Sequence, residues 1–284
     1  MSKLERCSFD GSNGNKLAAD VGGPADGPPV LLLHGGGQTR HSWGNAQREL
    51  IDEGYRVVSL DARGHGESDW VAGGDYGLES QVADVAHVAR ALGRPALVGA
   101  SMGGINAAIA CGDDADLARA LVLVDVTPRL EPEGIDLIER FMGANPDGFA
   151  SIDAAADAVA AYYPGRSRPA SSDGLRKNLR LRENGRWYWH WDPAMFNGGR
   201  EAKVQAMRER MLAAVEKIRI PTLLVRGGQS DIVSMAGVEE LRAYLPHLEF
   251  ADIAGAGHMI AGDRNDAFNH TVASFLRRHA GAAA

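Results

Sequence analysis

The sequence predicts an α/β protein: a doubly wound, mostly parallel sheet with a helical cap inserted near the middle of the chain. Three observations predict it. Short runs rich in Val, Leu and Ile recur, and most are followed by a helical pattern. Those runs are apolar on both faces, as buried parallel strands must be when helices cover both sides of a sheet. The rhythm then stops between about Thr127 and Glu216 and resumes afterwards.

The elements follow in order. Cys7–Gly22 alternates in polarity around Asn13-Gly14, an Asn-Gly turn signal, which predicts an antiparallel hairpin. Buried strands are predicted at Pro29–His34 (PVLLLH), Tyr55–Asp61 (YRVVSLD), Pro95–Ser101 (PALVGAS), Ala120–Val126 (ALVLVDV), Ile220–Arg226 (IPTLLVR) and Leu248–Ile253 (LEFADI). Ser80–Leu92 puts Val82, Val85, Val88 and Ala89 on one helical stripe, and Val238–Tyr244 and Ala267–Arg277 read the same way. Strand–helix alternation implies right-handed crossovers. The core is therefore expected in 1–126 and 217–284, with 127–216 as a cap.

Composition narrows the function. Hydrophobic residues make up 45% and charged residues 24%, the balance of a globular protein, and the net charge is −7. Neither a nucleic-acid groove nor an anionic membrane surface fits, because both want clustered Lys and Arg. The densest basic stretch, Arg176–Arg186, alternates Arg and Lys with Asn and Glu, and reads as a solvated helix face rather than an anion site. Cys7 and Cys111 are too weak a pair to imply a disulfide, Met1–Asp10 is too polar for a secretory signal, and no run approaches 18 apolar residues. A cytoplasmic protein acting on a small molecule is expected.

The strongest motif is Gly99-Ala100-Ser101-Met102-Gly103-Gly104, between a buried strand and a helix of small residues. A serine on so sharp a turn needs glycine two positions before and after it. The turn lifts the hydroxyl out at the C-terminal edge of the sheet, at a helix N-terminus whose amides can stabilise an oxyanion. Ser101 is the candidate nucleophile. His34-Gly35-Gly36-Gly37 closes the first parallel strand, and its amides are candidate oxyanion donors: Gly36 first and Gly37 second, beside the amide of Met102. Gly255-Ala256-Gly257-His258 follows the last strand, so His258 can project toward Ser101 as general base, with His65 in Gly64-His65-Gly66 as its rival. For the acid, Asp231 after IPTLLVR is favoured over Asp125 at the end of ALVLVD. The order Ser–Asp–His distinguishes this arrangement from chymotrypsin-like and subtilisin-like ones.

Together these residues resemble the α/β-hydrolase superfamily over nearly the whole chain outside the cap. Asp61–Asp69, DARGHGESD, is similar to the loop after the fourth strand of esterases, epoxide hydrolases and non-haem haloperoxidases. That resemblance implies that Asp61 and Arg63 hold loops near the triad. HGGGQT and GASMGG resemble the cofactor-free haloperoxidase/esterase branch, and HGGG also resembles meta-cleavage C–C hydrolases and hormone-sensitive-lipase-type esterases. Serine at the elbow departs from haloalkane dehalogenases and epoxide hydrolases, which carry Asp there.

The cap holds Trp187, Trp189 and Trp191 with Tyr163 and Phe141, and Trp43 follows the HGGG run. These residues are candidate walls of a pocket for an apolar or aromatic substrate, or else simply pack the cap onto the core. His190 and Asp192 have no third ligand at metal spacing, so no metal is expected. No cofactor is needed for acyl transfer from a carboxylic ester or lactone through an acyl-serine. The rival readings are a lyase or cofactor-free oxygenase using His258 as base, a perhydrolase, and a non-catalytic small-molecule receptor.

Overall fold

The computed structural model describes residues 4–162, 171–196, 200–260 and 265–281. Eight strands form one sheet in the order β1-β2-β4-β3-β5-β6-β9-β10. The hairpin expected at the N-terminus is β1 (Glu5–Asp10) and β2 (Lys16–Gly22), and β2 also pairs antiparallel with β4 (Arg56–Leu60). The rest is parallel: β3 (Pro29–Leu33), β5 (Ala96–Ala100), β6 (Ala120–Val124), β9 (Thr222–Gly227) and β10 (Glu249–Ile253).

The period-two pleat divides each central strand between two cores. Leu31, Leu97, Leu121 and Leu123 face one side, where α2 (Leu78–Ala91), α3 (Met102–Asp113) and α7 (Met235–Tyr244) pack. Val30, Val98, Val122 and Val225 face the other, covered by α1 (Gly44–Asp52) and α8 (Asn265–His279). A leucine or valine removed from water in this way contributes about 1.5–3 kcal/mol. The helical stripe predicted for Ser80–Leu92 supplies Val82, Val85, Val88 and Ala89 to the first core.

Strand order positions the site. From β3 the chain crosses outward to β4, then returns to place β5 on the other side of β3. The loops leaving β3 and β5 therefore diverge, and such a switch point at the carboxyl ends of parallel strands opens a crevice. His34–Gly37 and Ser101 are the residues that leave there.

Between β6 and β9 lie α4 (Pro132–Gly143), α5 (Ile152–Tyr162), a short two-stranded sheet of β7 (Leu179–Leu181) and β8 (Trp187–Trp189), and α6 (Arg200–Val215). The cap has a small core of its own, with Met142, Phe149, Leu179, Trp189 and Trp191. The end of α6 belongs elsewhere: Met211, Ala214 and Val215 enter the main core. The backbone of Ala214 approaches Gly112 so closely that a side chain at Gly112 would collide with it. The last turns of a segment expected to be cap thus complete a layer of the core.

The basic stretch Arg176–Arg186 is not the helix face expected of it. A 3-10 turn over Asp173–Asn178 runs into β7, and Asn184-Gly185 turns the chain back into β8, with Arg182 N–H donating to Arg186 O at 3.0 Å. This is the same Asn-Gly signal that marks the first hairpin, and here it outweighs the alternating charge. Among the described residues no helix is long and apolar enough to cross a membrane. Cys7 and Cys111 are free thiols, and burial pushes Cys111 up to about 12.

Candidate active site

The elbow is built by close approach. A Cβ on Gly99 would lie 2.5 Å from the carbonyl oxygen of Gly103, and one on Gly103 would strike the carbonyl of Leu33. Only glycine allows β5 to turn so tightly into α3. The turn holds Ser101 at φ 47°, ψ −116°, a left-handed conformation that costs a non-glycine residue of order 1–3 kcal/mol. Two backbone bonds fix it: Ser101 N–H donates to Val124 O at 3.0 Å, and Ser101 O accepts from Ile105 N–H at 3.0 Å.

Ser101 and His258 line one cavity of about 420 Å³ between the sheet edge and the cap. His258 is anchored from behind, where its Nδ1 meets Asp125 Oδ2 at 2.6 Å. Asp125, not Asp231, is therefore the carboxylate that the fold brings to the imidazole. Asp125 is fully buried and sits just past β6 at φ 48°. Its Oδ1 accepts Gly227 N–H at 2.9 Å and its Oδ2 accepts the Ser230 hydroxyl at 2.5 Å. Ser230 in turn accepts the amides of Ile232 and Val233 at 3.1 and 3.0 Å. Asp231 lies exposed in the same loop. Its neighbour Ile232 accepts Glu131 N–H at 2.9 Å, and its own carbonyl packs against Gly134 at the start of α4. The sequence favours Asp231 over Asp125, whereas the contact with His258 falls to Asp125. The missed signal is Ser230, a hydroxyl placed to cross from the β9 loop to the β6 carboxylate.

The loop after β3 is stapled in several places. Gln38 Oε1 accepts Gly35 N–H at 3.0 Å while Gln38 Nε2 reaches Met259 Sδ at 2.7 Å, linking this loop to the one bearing His258. The amide of Gly37 donates to His65 Nε2 at 3.3 Å. Gly37 is therefore committed elsewhere and is not a free oxyanion donor, contrary to the sequence expectation. Gly36 and Met102 both line the cavity with Ser101. Met102 is the first residue of α3, where helical amides have no intrahelical acceptor.

Under this loop lies a file of three buried imidazoles, His34, His65 and His190. Ring centroids are 5.1 Å apart for His34–His65 and 5.8 Å for His65–His190. Each accepts one backbone amide and faces one carbonyl. His34 Nε2 accepts Ala62 N–H at 3.0 Å, and its Nδ1 faces Gly35 O at 2.8 Å. His65 Nδ1 faces Arg63 O at 3.0 Å. His190 Nδ1 accepts Gly66 N–H at 2.7 Å, and its Nε2 faces Gly37 O at 3.3 Å. The amide acceptors fix each tautomer, so every ring is neutral with its one proton on the carbonyl side. Desolvation is the main cause holding these groups below the ordinary histidine range, with His65 pushed down to about 3. His65 is thus a structural residue rather than the rival base.

The residues of DARGHGESD act as the resemblance implied. Arg63 is buried against Asp84, with contacts of 2.6 and 2.7 Å. Asp61 accepts Arg40 N–H at 2.6 Å and Glu67 N–H at 2.9 Å.

The cap candidates separate. Trp189 and Trp191 stack at 5.0 Å and line the cavity with Phe141 and Met142. Trp187 does not line it and lies instead under the Arg176 guanidinium. Trp43 is buried in the core against Phe268, because the turn after the β3 loop directs it under α8. Tyr163 lies outside the described residues. The cap hairpin is moored to the core at several points besides His190. Asp192 N–H donates to Gly64 O at 2.9 Å, Tyr76 Oη donates to Asp192 at 2.5 Å, and Thr39 Oγ1 reaches Asn178 Oδ1 at 3.2 Å. Among the described residues no cluster of three His, Cys, Asp or Glu side chains could hold a metal ion.

The doubly wound sheet, the strained elbow at its switch point and the contact between Asp125 and His258 are the setting of one fold family. The chain belongs to the α/β hydrolase fold family, whose family model matches residues 28–264. Among individual proteins, it is 30% identical over 257 residues to the esterase Rv0045c of Mycobacterium tuberculosis, covering 88% of this chain and 83% of that one. It is 29% identical over 251 residues to 2-(acetamidomethylene)succinate hydrolase of Mesorhizobium japonicum, covering 86% of each. A crystal structure of E-2-(acetamidomethylene)succinate hydrolase superposes with a TM-score of 0.82 at 25% identity, over 96% of this chain and 99% of that one. It also resembles a non-heme chloroperoxidase of Streptomyces lividans, at 24% identity over 278 residues, covering 94% of this chain and 98% of that one. The chain is a hydrolase of this fold.

Proposed function

We propose that the protein is a serine hydrolase that cleaves a carboxylic ester or lactone through an acyl-serine intermediate. The observation that carries this reading is the strained Ser101 sharing a cavity with an imidazole anchored to buried Asp125. His258 takes the proton from Ser101 as the hydroxyl attacks the carbonyl carbon. The amides of Gly36 and Met102 receive the oxyanion. Collapse of the tetrahedral species expels the alkoxide, which His258 protonates. Water, deprotonated by the same imidazole, then releases the acid and restores Ser101. Asp125 keeps the proton of the neutral imidazole on Nδ1 and stabilises the imidazolium that forms. The aromatic wall of Phe141, Trp189 and Trp191 favours an apolar substrate, and no cofactor takes part in these steps. An esterase among the relatives supports the ester class. The 2-(acetamidomethylene)succinate hydrolase among the relatives supports hydrolysis of a small molecule more broadly.

A fluorophosphonate probe tests the reading directly. The wild type is expected to be labelled at Ser101, with labelling absent in Ser101→Ala, and aryl esters of increasing acyl length are expected to report the size of the cavity. Absence of both labelling and turnover in folded wild-type protein would refute the acyl-serine mechanism.

A further inference from the structure

The stretch Arg176–Arg186 holds five cations and one acid in a chain whose net charge is −7. Its first part lines a cleft of about 330 Å³ between the cap and the core, with Arg176, Lys177 and Arg180 on one side and His41, Gly66 and Glu67 among the rest. The cleft adjoins the active-site cavity, because His41 and Lys177 line both.

The charges in this cleft are unbalanced. Some arginines elsewhere are paired directly with acids, as Arg210 is with Glu79 and Asp113, and Arg278 with Glu249. Arg176, Lys177 and Arg180 form no ion pair with a described carboxylate. Glu67, the acid in the cleft, is taken by Arg40 and Arg6. Arg180 is half-buried with no carboxylate in direct contact, and burial is the largest influence drawing its pKa down, opposed at longer range by Asp61, Glu67 and Asp192. The guanidinium planes are already ordered. Arg176 lies over Trp187 at 5.1 Å and Arg180 over Trp70 at 4.9 Å, while Arg180 also donates to Gly66 O. Stacking covers the faces of a guanidinium and leaves donors at its edge, the geometry that grips an oxyanion.

We propose that this cleft is an anion subsite of the active site, which takes a carboxylate or phosphate group carried at the far end of an otherwise apolar substrate. The proposal rests on the ester-hydrolase reading for its substrate and on the cleft itself for its charge. The apolar body lies against Phe141, Trp189 and Trp191, the scissile carbonyl reaches Ser101, and the anionic end passes Lys177 to meet Arg176 and Arg180.

The test compares nitrophenyl hexanoate with the nitrophenyl half-ester of adipic acid and with nitrophenyl hexanoate bearing a terminal phosphate. The ratio of kcat/KM for each anionic ester to that for the neutral one is the readout. At low salt the ratio is expected to be about ten- to a hundred-fold, expressed in KM and shrinking as salt is added. It should fall in Arg180→Ala and in the exposed Arg176→Ala, and Arg180→Lys should restore part of it. The neutral ester reports folding in each variant. A larger ratio for one anionic ester identifies carboxylate or phosphate as the natural group. A ratio near one, or one that neither variant moves, overturns the anion subsite while leaving the ester reading intact. If no ester is turned over, the ester reading fails, and titration calorimetry with butyl phosphate and hexanoate decides the cleft separately. Saturable binding lost in Arg180→Ala upholds it, and no saturable binding overturns it.

Discussion

Two adjacent strands of the sheet, β6 and β9, each end in a loop that carries an aspartate, and the two loops have opposite fates. Asp125 follows β6 directly, has no solvent exposure, and spends both carboxylate oxygens on Gly227, Ser230 and His258. Asp231 stands four residues past β9, exposed, in a loop whose backbone seats the first turn of α4. One loop holds the acid and the other holds the cap. The difference shows that a strand-end carboxylate is selected by what can reach back to it. Ser230, from the β9 loop, crosses to Asp125, so the second loop serves the first one's side chain.

That contrast can be broken or sharpened by experiment. Ser101→Ala sets the floor, with an expected loss of kcat of at least about 10⁴-fold, measured on an aryl ester with circular dichroism confirming the fold. Asp125→Asn should come next, lowering kcat by about 10³- to 10⁴-fold, because the amide leaves the imidazole in the wrong tautomer. If Asp231→Asn showed that loss and Asp125→Asn did not, the roles of the two loops would be reversed.

The comparison belongs above pH 6.5, for a reason in the histidine file. His34, His65 and His190 are neutral when folded and have depressed pKa values, His65 near 3. Their contribution to stability is complete above the ordinary value of about 6.5. It is lost as pH falls toward the folded values, since the unfolded chain then binds protons that the native state refuses. Urea melts between pH 7 and pH 4 should show stability falling by up to about 1.4 kcal/mol per pH unit for each such histidine. Stability that stays flat over this range would mean that the native rings take up protons as readily as the unfolded chain does.

A smaller effect is expected from Ser230→Ala, about ten-fold in kcat/KM, since one hydrogen bond to a charged carboxylate is worth about 1.5–3 kcal/mol and Gly227 still holds Oδ1. Asp231→Asn should be the mildest, within about two-fold of wild type, as an exposed side chain outside the hydrogen-bond network.

Most of the sheet was legible because its central strands are buried on both faces, leaving short Val- and Leu-rich apolar runs bounded by Gly, Pro or charged residues. The elbow was legible for a different reason: Gly99 and Gly103 are needed by contacts between close backbones, and nothing larger fits. The choice between Asp125 and Asp231 was not legible, since both end apolar strands and the deciding contact spans 133 residues of chain. The cap was read least well. Its β7–β8 hairpin is two strands of three residues each, too short to show a period, and its charge pattern imitated a helix surface. The commitment of Gly37 to His65 was equally hidden, for it depends on how two loops distant in sequence fold over each other.

The histidine file also gives the molecule an internal reporter. Three imidazole protons sit on assignable nitrogens, buried and facing carbonyl oxygens. Protons so placed exchange slowly with water, and their magnetic resonance signals fall well downfield of ordinary amides. Two of these rings belong to the core and the third, His190, belongs to the cap, so the linewidth of one signal against the other two would follow the seating of the cap in solution, without a label and without a substrate.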